Sequence, residues 1–376
     1  MKKIFIITGE QSGDMHGAAL VESLKKFSKE EIEFHCIGGN FLKQQGAVIF
    51  KSIEQLSVIG IIEVIKKIFF FKKLLNETIR YILKLQPDVI IFIDYPGFNL
   101  KLAEKLKSYS DIKSKLVYYI SPQIWAWHTS RVYKINSLMD KILVIFRFEK
   151  EFYEKYVVNN GKIVFVGHPL LKRINPEFYY ENKNIRKKII ALLPGSRVNE
   201  IIKILPCMIE VSKKILSEFP EYKIIVSASD INKISLIKKY LKNAGSNFFV
   251  IAGNTYSIIQ NSECVIVSSG TATLETGIIG APMIPVYKVN YFTGLLGKMV
   301  IKIKNIALIN IVLNKTVVKE FIQDNMKSDL LYPEVKKILT DKKYAESIHH
   351  ELIKSREILK LDSKSFPAYK EIMEIL

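Results

Sequence analysis

Residues 263–286 read ECVIVSSGTATLETGIIGAPMIPV, and this stretch decides the fold. Val265-Ile266-Val267 is a β-branched apolar run of the kind that forms a strand buried on both faces. It breaks at Ser268-Ser269-Gly270-Thr271, and a helical run follows from Ala272 to Ile279. Gly280-Ala281-Pro282 stops that helix, and Met283 to Val286 begins the next strand. Strand, turn, helix, strand is the repeating element of a parallel sheet. The turn lets backbone approach a ligand, and the helix N-terminus offers N–H groups and partial positive charge to a phosphate. Glu275 lies one turn inside the helix. A carboxylate there repels phosphate but accepts hydrogen bonds from ribose hydroxyls, so the pattern fits a nucleoside diphosphate better than a bare anion. The alternative is a Ser/Thr cap with an acidic residue complementing the helix dipole.

The same alternation extends outward in both directions. Strands are expected at Ile4–Thr8, Glu33–Ile37, Val89–Ile93, Leu116–Ile120, Lys141–Ile145 and Val164–Val166, then again at Ile189–Leu193, Ile224–Ser227, Phe248–Ile251, Val265–Val267 and Met283–Val286. Strands alternating with helices predict an α/β protein of two Rossmann-like, doubly wound domains facing each other across a cleft. The polar stretch from Pro169 to Lys188 marks the join. Residues 1–170 form the first domain and 171–349 the second, with a C-terminal helix at about 350–376 packing back on the first.

At 376 residues the chain is long enough for two cores. With 48% hydrophobic and 25% charged residues it is globular rather than disordered. A formal net charge of +19 predicts an anionic partner: nucleic acid, acidic lipid or a phosphorylated substrate. General enrichment in Lys beside Ile and Asn explains the same number. Cys36, Cys207 and Cys264 stand far apart with no CxxC pair, which predicts neither a disulfide framework nor a zinc site and fits a reducing compartment. The apolar run after Met1 is too short for a signal peptide and reads as the first strand. No uninterrupted apolar stretch approaches the ~20 residues of a spanning helix.

Four more turns carry chemistry. The first strand ends in Gly9-Glu10-Gln11-Ser12-Gly13-Asp14, where Ser12 and Asp14 project from a strand end or simply cap the helix Met15–Phe27. The strand Val89–Ile93 runs into Asp94-Tyr95-Pro96-Gly97-Phe98-Asn99, which places Asp94 where open α/β sheets bind ligands. A carboxylate at the edge of a dry strand can act as a general base; a plain turn Asp before Pro96 is the alternative. Ser121-Pro122-Gln123-Ile124-Trp125-Ala126-Trp127-His128 holds both tryptophans of the chain and fits a sugar or acyl surface. Leu192-Leu193-Pro194-Gly195-Ser196-Arg197 exposes backbone at Gly195 and Ser196, and Arg197 adds a guanidinium fork for phosphate oxygens. Gly195–Arg197 and Ser268–Thr271 together can grip one diphosphate. No Asp-x-Asp pair and no GxxxxGK[ST] loop occurs, so neither that type of metal-bridged diphosphate nor triphosphate hydrolysis is expected.

Ile61 to Leu75, IIEVIKKIFFFKKLL, is apolar and basic at once. At roughly 100° per residue, Ile61, Ile62, Val64, Ile65, Ile68, Phe69, Phe71 and Leu75 gather on one broad side. Phe70 and Leu74 then fall among the lysines, as in a helix that lies on an anionic membrane surface. Tyr291 to Ile306 is a second such segment, and ordinary core packing with lysine stems accounts for either.

Taken together, GEQSGD (9–14), IDYPGFNL (93–100), SPQIWAW (121–127), GHP (167–169), LLPGSR (192–197) and SSGTATLE (268–275) resemble the lipid-A-disaccharide synthase family, inverting glycosyltransferases of the GT-B type. Asn310 with VVKEFIQ (317–323) resembles the family's C-terminal block, with Ile309 where a Pro usually precedes the Asn. The resemblance runs from about residue 3 to 325. It implies transfer of the sugar of UDP-2,3-diacylglucosamine to 2,3-diacylglucosamine 1-phosphate, without metal or cofactor, at the cytoplasmic face of the inner membrane of Gram-negative bacteria. It also implies a homodimer.

Carried onto this chain, the resemblance makes Asp94 the expected base, with Asp14 second and Ser12 beside them. Gly195, Ser196, Arg197, Ser269, Gly270, Thr271 and Ala272 hold the diphosphate, Glu275 the ribose, and Asn310, Glu320 and Gln323 frame the nucleotide or donor sugar. Asn99, Ser121, Trp125, Trp127, Ile65, Phe69 and Phe70 face acceptor or lipid. A UDP-sugar 2-epimerase of the same fold is the nearest rival. A nucleic-acid-binding protein, argued from charge alone, leaves the glycine turns unexplained.

Overall fold

The computed structural model describes residues 1–53, 64–125, 129–182, 187–288, 305–361 and 367–376, with residues 64–68 and 182 described by backbone alone. Trp127, the side chain of Ile65, Ile61 and Ile62, and nearly all of the segment 291–306 lie outside the described residues. The chain divides into two compact units: Met1–Pro169 with Leu361–Leu376, and Leu170–Lys360.

The first unit is a seven-stranded, wholly parallel sheet in the order β3-β2-β1-β4-β5-β6-β7. The strands are β1 (Lys2–Ile7), β2 (Ile32–Gly38), β3 (Val48–Ser52), β4 (Val89–Ile93), β5 (Lys115–Tyr119), β6 (Lys141–Val144) and β7 (Ile163–Phe165). The second unit has six strands in the order β10-β9-β8-β11-β12-β13. They are β8 (Ile189–Leu193), β9 (Lys223–Ala228), β10 (Phe248–Ala252), β11 (Cys264–Ser268), β12 (Met283–Tyr287) and β13 (Phe321–Ile322), again all parallel. In the central strands β4, β8 and β11 every residue is buried. A strand covered on both faces must be apolar throughout, which is why these three read so plainly.

Both sheets reverse their strand order beside the first strand: between β1 and β4, and between β8 and β11. At such a reversal the two connecting segments leave in opposite directions and open a crevice at the carboxyl ends of the strands. The expected turns fall there. Gly9 and Asp94 follow β1 and β4, which pair with Ile7 opposite Phe92. Gly195 and Gly270 follow β8 and β11, which pair with Leu193 opposite Val267.

The edge strands β3 and β13 escape the sequence reading, being respectively half-exposed and two residues long. The helix Gln11–Phe27 begins four residues before the expected Met15. The return to the first unit begins at Leu361 rather than about residue 350. Residues 355–359 stay with the second unit because Arg356 donates to the carbonyls of Ile278 (2.7 Å) and Ile279 (3.1 Å), the last of the helix Thr271–Ile279. The terminal helix Ala368–Met373 docks on the first unit through buried Ile372, the Lys141–Glu371 ion pair and Tyr369 stacked on Phe27.

The register of the helix Val64–Leu85 also differs from expectation. Leu74, Thr78 and Ile82 are buried at a spacing of four, and one turn back this stripe meets Phe70, which packs on the core. Phe69 is 71% exposed and Phe71 38%, beside exposed Lys72 and Lys73. Among the described side chains of this helix, the apolar residues of its first half that face outward are therefore Phe69 and Phe71, not Phe70 and Leu74.

Candidate active site

In the first unit the crevice between β1 and β4 is built around a strained turn. Asp94 (φ 45°) and Tyr95 (φ 50°) are both left-handed, and Ile120, at the end of neighbouring β5, has φ 60°. Such backbone costs about 1–3 kcal/mol per residue and persists only where the surroundings fix it. Here the Asp94 carbonyl accepts from Asn99 Nδ2 and from Tyr118 Oη, each at 2.7 Å, and its N–H donates to the Ile120 carbonyl at 3.2 Å. Tyr95 lies hard against Gly9, where a Cβ would sit 2.8 Å from the Tyr95 Cβ. The half-buried Asp94 is thus held at a strand end by its main chain.

Several residues expected to contact ligand make hydrogen bonds inside the fold. Asn99 is fully buried under the Asp94 turn. Ser121 is buried and bonds Tyr153 Oη at 2.6 Å. Asp14, 1% exposed, accepts from the N–H groups of Gly39 (2.7 Å), Phe41 (2.9 Å) and Leu42 (3.4 Å), so it caps the short helix Asn40–Gln44. Its oxygens are therefore committed to the fold. Ser12 is half-buried and donates to Glu10 at 2.8 Å.

A second carboxylate sits nearby that sequence reasoning missed. Glu149, in the first turn of the helix Arg147–Glu154, is 2% exposed. It accepts from the N–H groups of Ile145 (3.3 Å) and Phe146 (3.2 Å), and from Trp125 Nε1 (3.3 Å). Burial pushes its pKa up to about 8, and the Asp94 charge adds to the rise. Trp125 stands edge-on to Phe148, Phe148 stacks on Phe146, and Phe146 tilts against His168. Glu149 therefore anchors one end of an aromatic row beyond β5, β6 and β7, in which Trp125 and Phe148 are part-exposed and Phe146 and His168 are buried. Its only trace in the sequence is an acidic residue three places after Phe146.

The raised pKa has a consequence for stability. The folded protein keeps a proton on Glu149 that the unfolded chain releases between its ordinary value of 4.5 and about pH 8. The associated stability is complete below the lower value and is lost as pH rises through the upper one. Glu149→Gln removes this titration. Its melting temperature should fall less than the parent's between about pH 5 and about pH 8; equal falls would show that Glu149 does not titrate in this way.

In the second unit, Gly195 (φ 106°) turns the chain from β8 into the helix Val198–Glu218. Exposed Ser196 and Arg197 follow. Glu200 holds Arg197 from below, accepting from its Nη1 at 3.2 Å while the guanidinium side chain stays 68% exposed. After β11, Ser269 N–H donates to the Val286 carbonyl at 2.8 Å, and Gly270 (φ 150°) admits the sharp entry into the helix Thr271–Ile279, with Ala272 in its first turn. Two helix N-termini and one guanidinium thus border the β8–β11 crevice, an anion-binding arrangement.

Glu275 is held by Arg173 and by Tyr256 Oη at 3.0 Å, contacts that no local motif reveals. Asn310 is fully buried and spends all its capacity inside the fold. Its Oδ1 accepts from Val317 (2.9 Å) and Val318 (3.1 Å), and its Nδ2 donates to the Val318 carbonyl and to Glu320, each at 2.8 Å. Glu320 also accepts from Ile306 N–H at 2.8 Å. Asn310 and Glu320 therefore pin the loop leading to β13, and left-handed Gln323 (φ 54°) follows that strand. Ile309, where a Pro was expected, packs on Gly277, whose missing side chain makes room for it.

The family profile described as lipid-A-disaccharide synthetase matches residues 4–371. A lipid-A-disaccharide synthase of Geobacter sulfurreducens is 34% identical over 363 residues, covering 95% of this chain and 93% of that protein. Lipid-A-disaccharide synthase 1 of Legionella pneumophila is similar to the same extent, and the Coxiella burnetii enzyme is 33% identical over 92% of this chain and 91% of its own length. Among solved structures, Acinetobacter baumannii MurG matches with a TM-score of 0.57 at 12% identity, covering 100% of this chain and 99% of that one. The Staphylococcus aureus MnaA–UDP co-structure matches with a TM-score of 0.63 at 11% identity, over 95% and 94%. At these identities the structures establish the GT-B fold alone.

Proposed function

From the premise that the chain belongs to the lipid-A-disaccharide synthetase family, we propose that it transfers the sugar of UDP-2,3-diacylglucosamine to 2,3-diacylglucosamine 1-phosphate with inversion, releasing UDP. What carries this reading is that both strand-order reversals end in turns chemically fit for the two halves of the reaction. At β1/β4, Asp94 takes the proton of the attacking acceptor hydroxyl. At β8/β11, Arg197 and the N-terminus of the helix starting at Thr271 stabilise the negative charge that grows on the departing diphosphate. Glu275 holds the ribose, and Gln323 closes the nucleotide side. Trp125 and the row behind it receive the acceptor sugar or its acyl chains.

An assay for UDP release from the acylated donor, run in EDTA with and without acceptor, tests the reading. Release that requires acceptor and survives EDTA is expected. Donor turnover without acceptor would favour an epimerase. Arg197→Ala should weaken UDP binding roughly tenfold to a hundredfold by calorimetry, the worth of a charge-assisted hydrogen bond. Unchanged affinity would remove Arg197 from the phosphate site.

The outward pair Phe69 and Phe71, with Lys72 and Lys73, forms the surface that meets an anionic bilayer, where each Lys contributes ~1 kcal/mol. Among the described residues no helix is long and apolar enough to cross a membrane. The double variant Phe69→Ser, Phe71→Ser should lose flotation with phosphatidylglycerol vesicles while keeping its affinity for UDP. Retained flotation would place the contact elsewhere.

A further inference from the structure

Glu275 does not stand alone in its helix. Arg173, at the end of the short helix Leu170–Arg173, pairs with Glu275 Oε1 through Nη2. Its Nε donates to Tyr256 Oη at 2.8 Å, and that hydroxyl donates in turn to the same Glu275 Oε1 at 3.0 Å. Three hydrogen bonds close a triangle among residues from three separate elements: the segment after GHP, the helix Thr255–Asn261, and the helix Thr271–Ile279. Phe178 packs edge-on to Tyr256 and fixes the ring that carries the hydroxyl.

All these contacts fall on Oε1, and among the described residues Oε2 takes none. A planar carboxylate clamped at one oxygen has its other oxygen fixed in direction as well. Burial raises the Glu275 carboxyl above its ordinary value, and the Arg173 charge and the hydrogen bonds from Tyr256 and Arg173 hold that rise back toward the ionised form. An ionised carboxylate accepts hydrogen bonds only, which is the complement of a hydroxyl pair. We propose that Arg173 and Tyr256 are positioning residues that hold Glu275 at one oxygen so that the other accepts a ribose hydroxyl of the bound nucleotide. This rests on the reading of Glu275 as the ribose contact.

The test compares the affinities of UDP, 2′-deoxy-UDP and 3′-deoxy-UDP by calorimetry on the whole chain. The parent should bind UDP roughly tenfold to a hundredfold more tightly than at least one deoxy analogue, as expected for a hydrogen bond to a charged group. Glu275→Ala should abolish that ratio. Arg173→Met and Tyr256→Phe should each shrink it severalfold, while affinity for the deoxy analogue itself stays near the parent's. A general loss of folding would weaken all three ligands alike and leave the ratio intact, so the ratio isolates positioning. Tyr256→Phe removes one hydroxyl and no charge, and serves if Arg173→Met fails to fold.

Two results overturn the proposal, and they differ. If Glu275→Ala abolishes the ratio while Arg173→Met and Tyr256→Phe keep it, the positioning role is wrong and the Glu275 reading stands. If Glu275→Ala itself keeps the ratio, the ribose reading falls and the positioning role falls with it.

Discussion

Asp94→Asn lowers kcat by roughly 10²–10⁴-fold while UDP affinity stays at the parent's value. The expectation follows from where the residue stands and how it is held. β4 delivers it to the carboxyl edge of the sheet beside β1, where the strand order reverses. Its left-handed backbone is fixed through the Asp94 carbonyl by Asn99 and Tyr118, so a substituted side chain keeps the same main-chain path. Asparagine preserves shape and loses only the capacity to accept a proton. The proposed nucleotide contacts follow β8 and β11 in the other unit, so binding and turnover are expected to separate. Near-parental turnover would reject Asp94 as the base. Asp14 offers no ready substitute, because its oxygens cap the helix Asn40–Gln44.

Gly9→Ala is expected to cost turnover about 10²-fold, the loss that accompanies a displacement of about 1 Å at a reacting group. The backbone at Gly9 lies outside the left-handed region, so alanine is conformationally acceptable there. The penalty is purely steric: the added methyl lands against the Tyr95 Cβ at 2.8 Å and on the ring beyond it. These are atoms next to the backbone, not the far end of a flexible chain. Tyr95 must move, and Asp94 is its neighbour in the chain. UDP affinity should again be unchanged. A variant with parental kcat would show that the Gly9–Tyr95 contact does not hold the base.

A structural feature is legible in the sequence where its cause is local. β4, β8 and β11 were legible because a strand buried on both faces is apolar at every residue. The turns at Asp94, Gly195 and Gly270 are legible because each follows directly on such a strand. β3 and β13 left no signal, as half-exposed or two-residue edge strands bury too little to impose a pattern.

Roles set by tertiary partners were hidden. Nothing local distinguishes an Asn that fixes a loop from an Asn that meets a ligand, and Asn310 is the first kind because Val317, Val318 and Glu320 use all its hydrogen-bonding groups. Glu149 looked like an ordinary acidic residue of a helix start until burial and Trp125 gave it a different character. Arg173, Tyr256 and Glu275 converge from positions too far apart in sequence for any motif to link them. The facing of Phe69 and Phe70 is ambiguous in the sequence because three consecutive phenylalanines, Phe69 to Phe71, spread apolar groups over most of one turn between two lysine pairs. Only the stripe of Leu74, Thr78 and Ile82, further along, sets its register.

The most direct measurement is the structure of the product. Incubated with both acylated substrates, the protein should yield one β-1,6-linked disaccharide 1-phosphate for each UDP released, its new anomeric centre inverted relative to the donor by NMR. A disaccharide that retains the donor's anomeric configuration, or UDP formed without any disaccharide, would contradict in-line displacement by an acceptor hydroxyl that Asp94 activates.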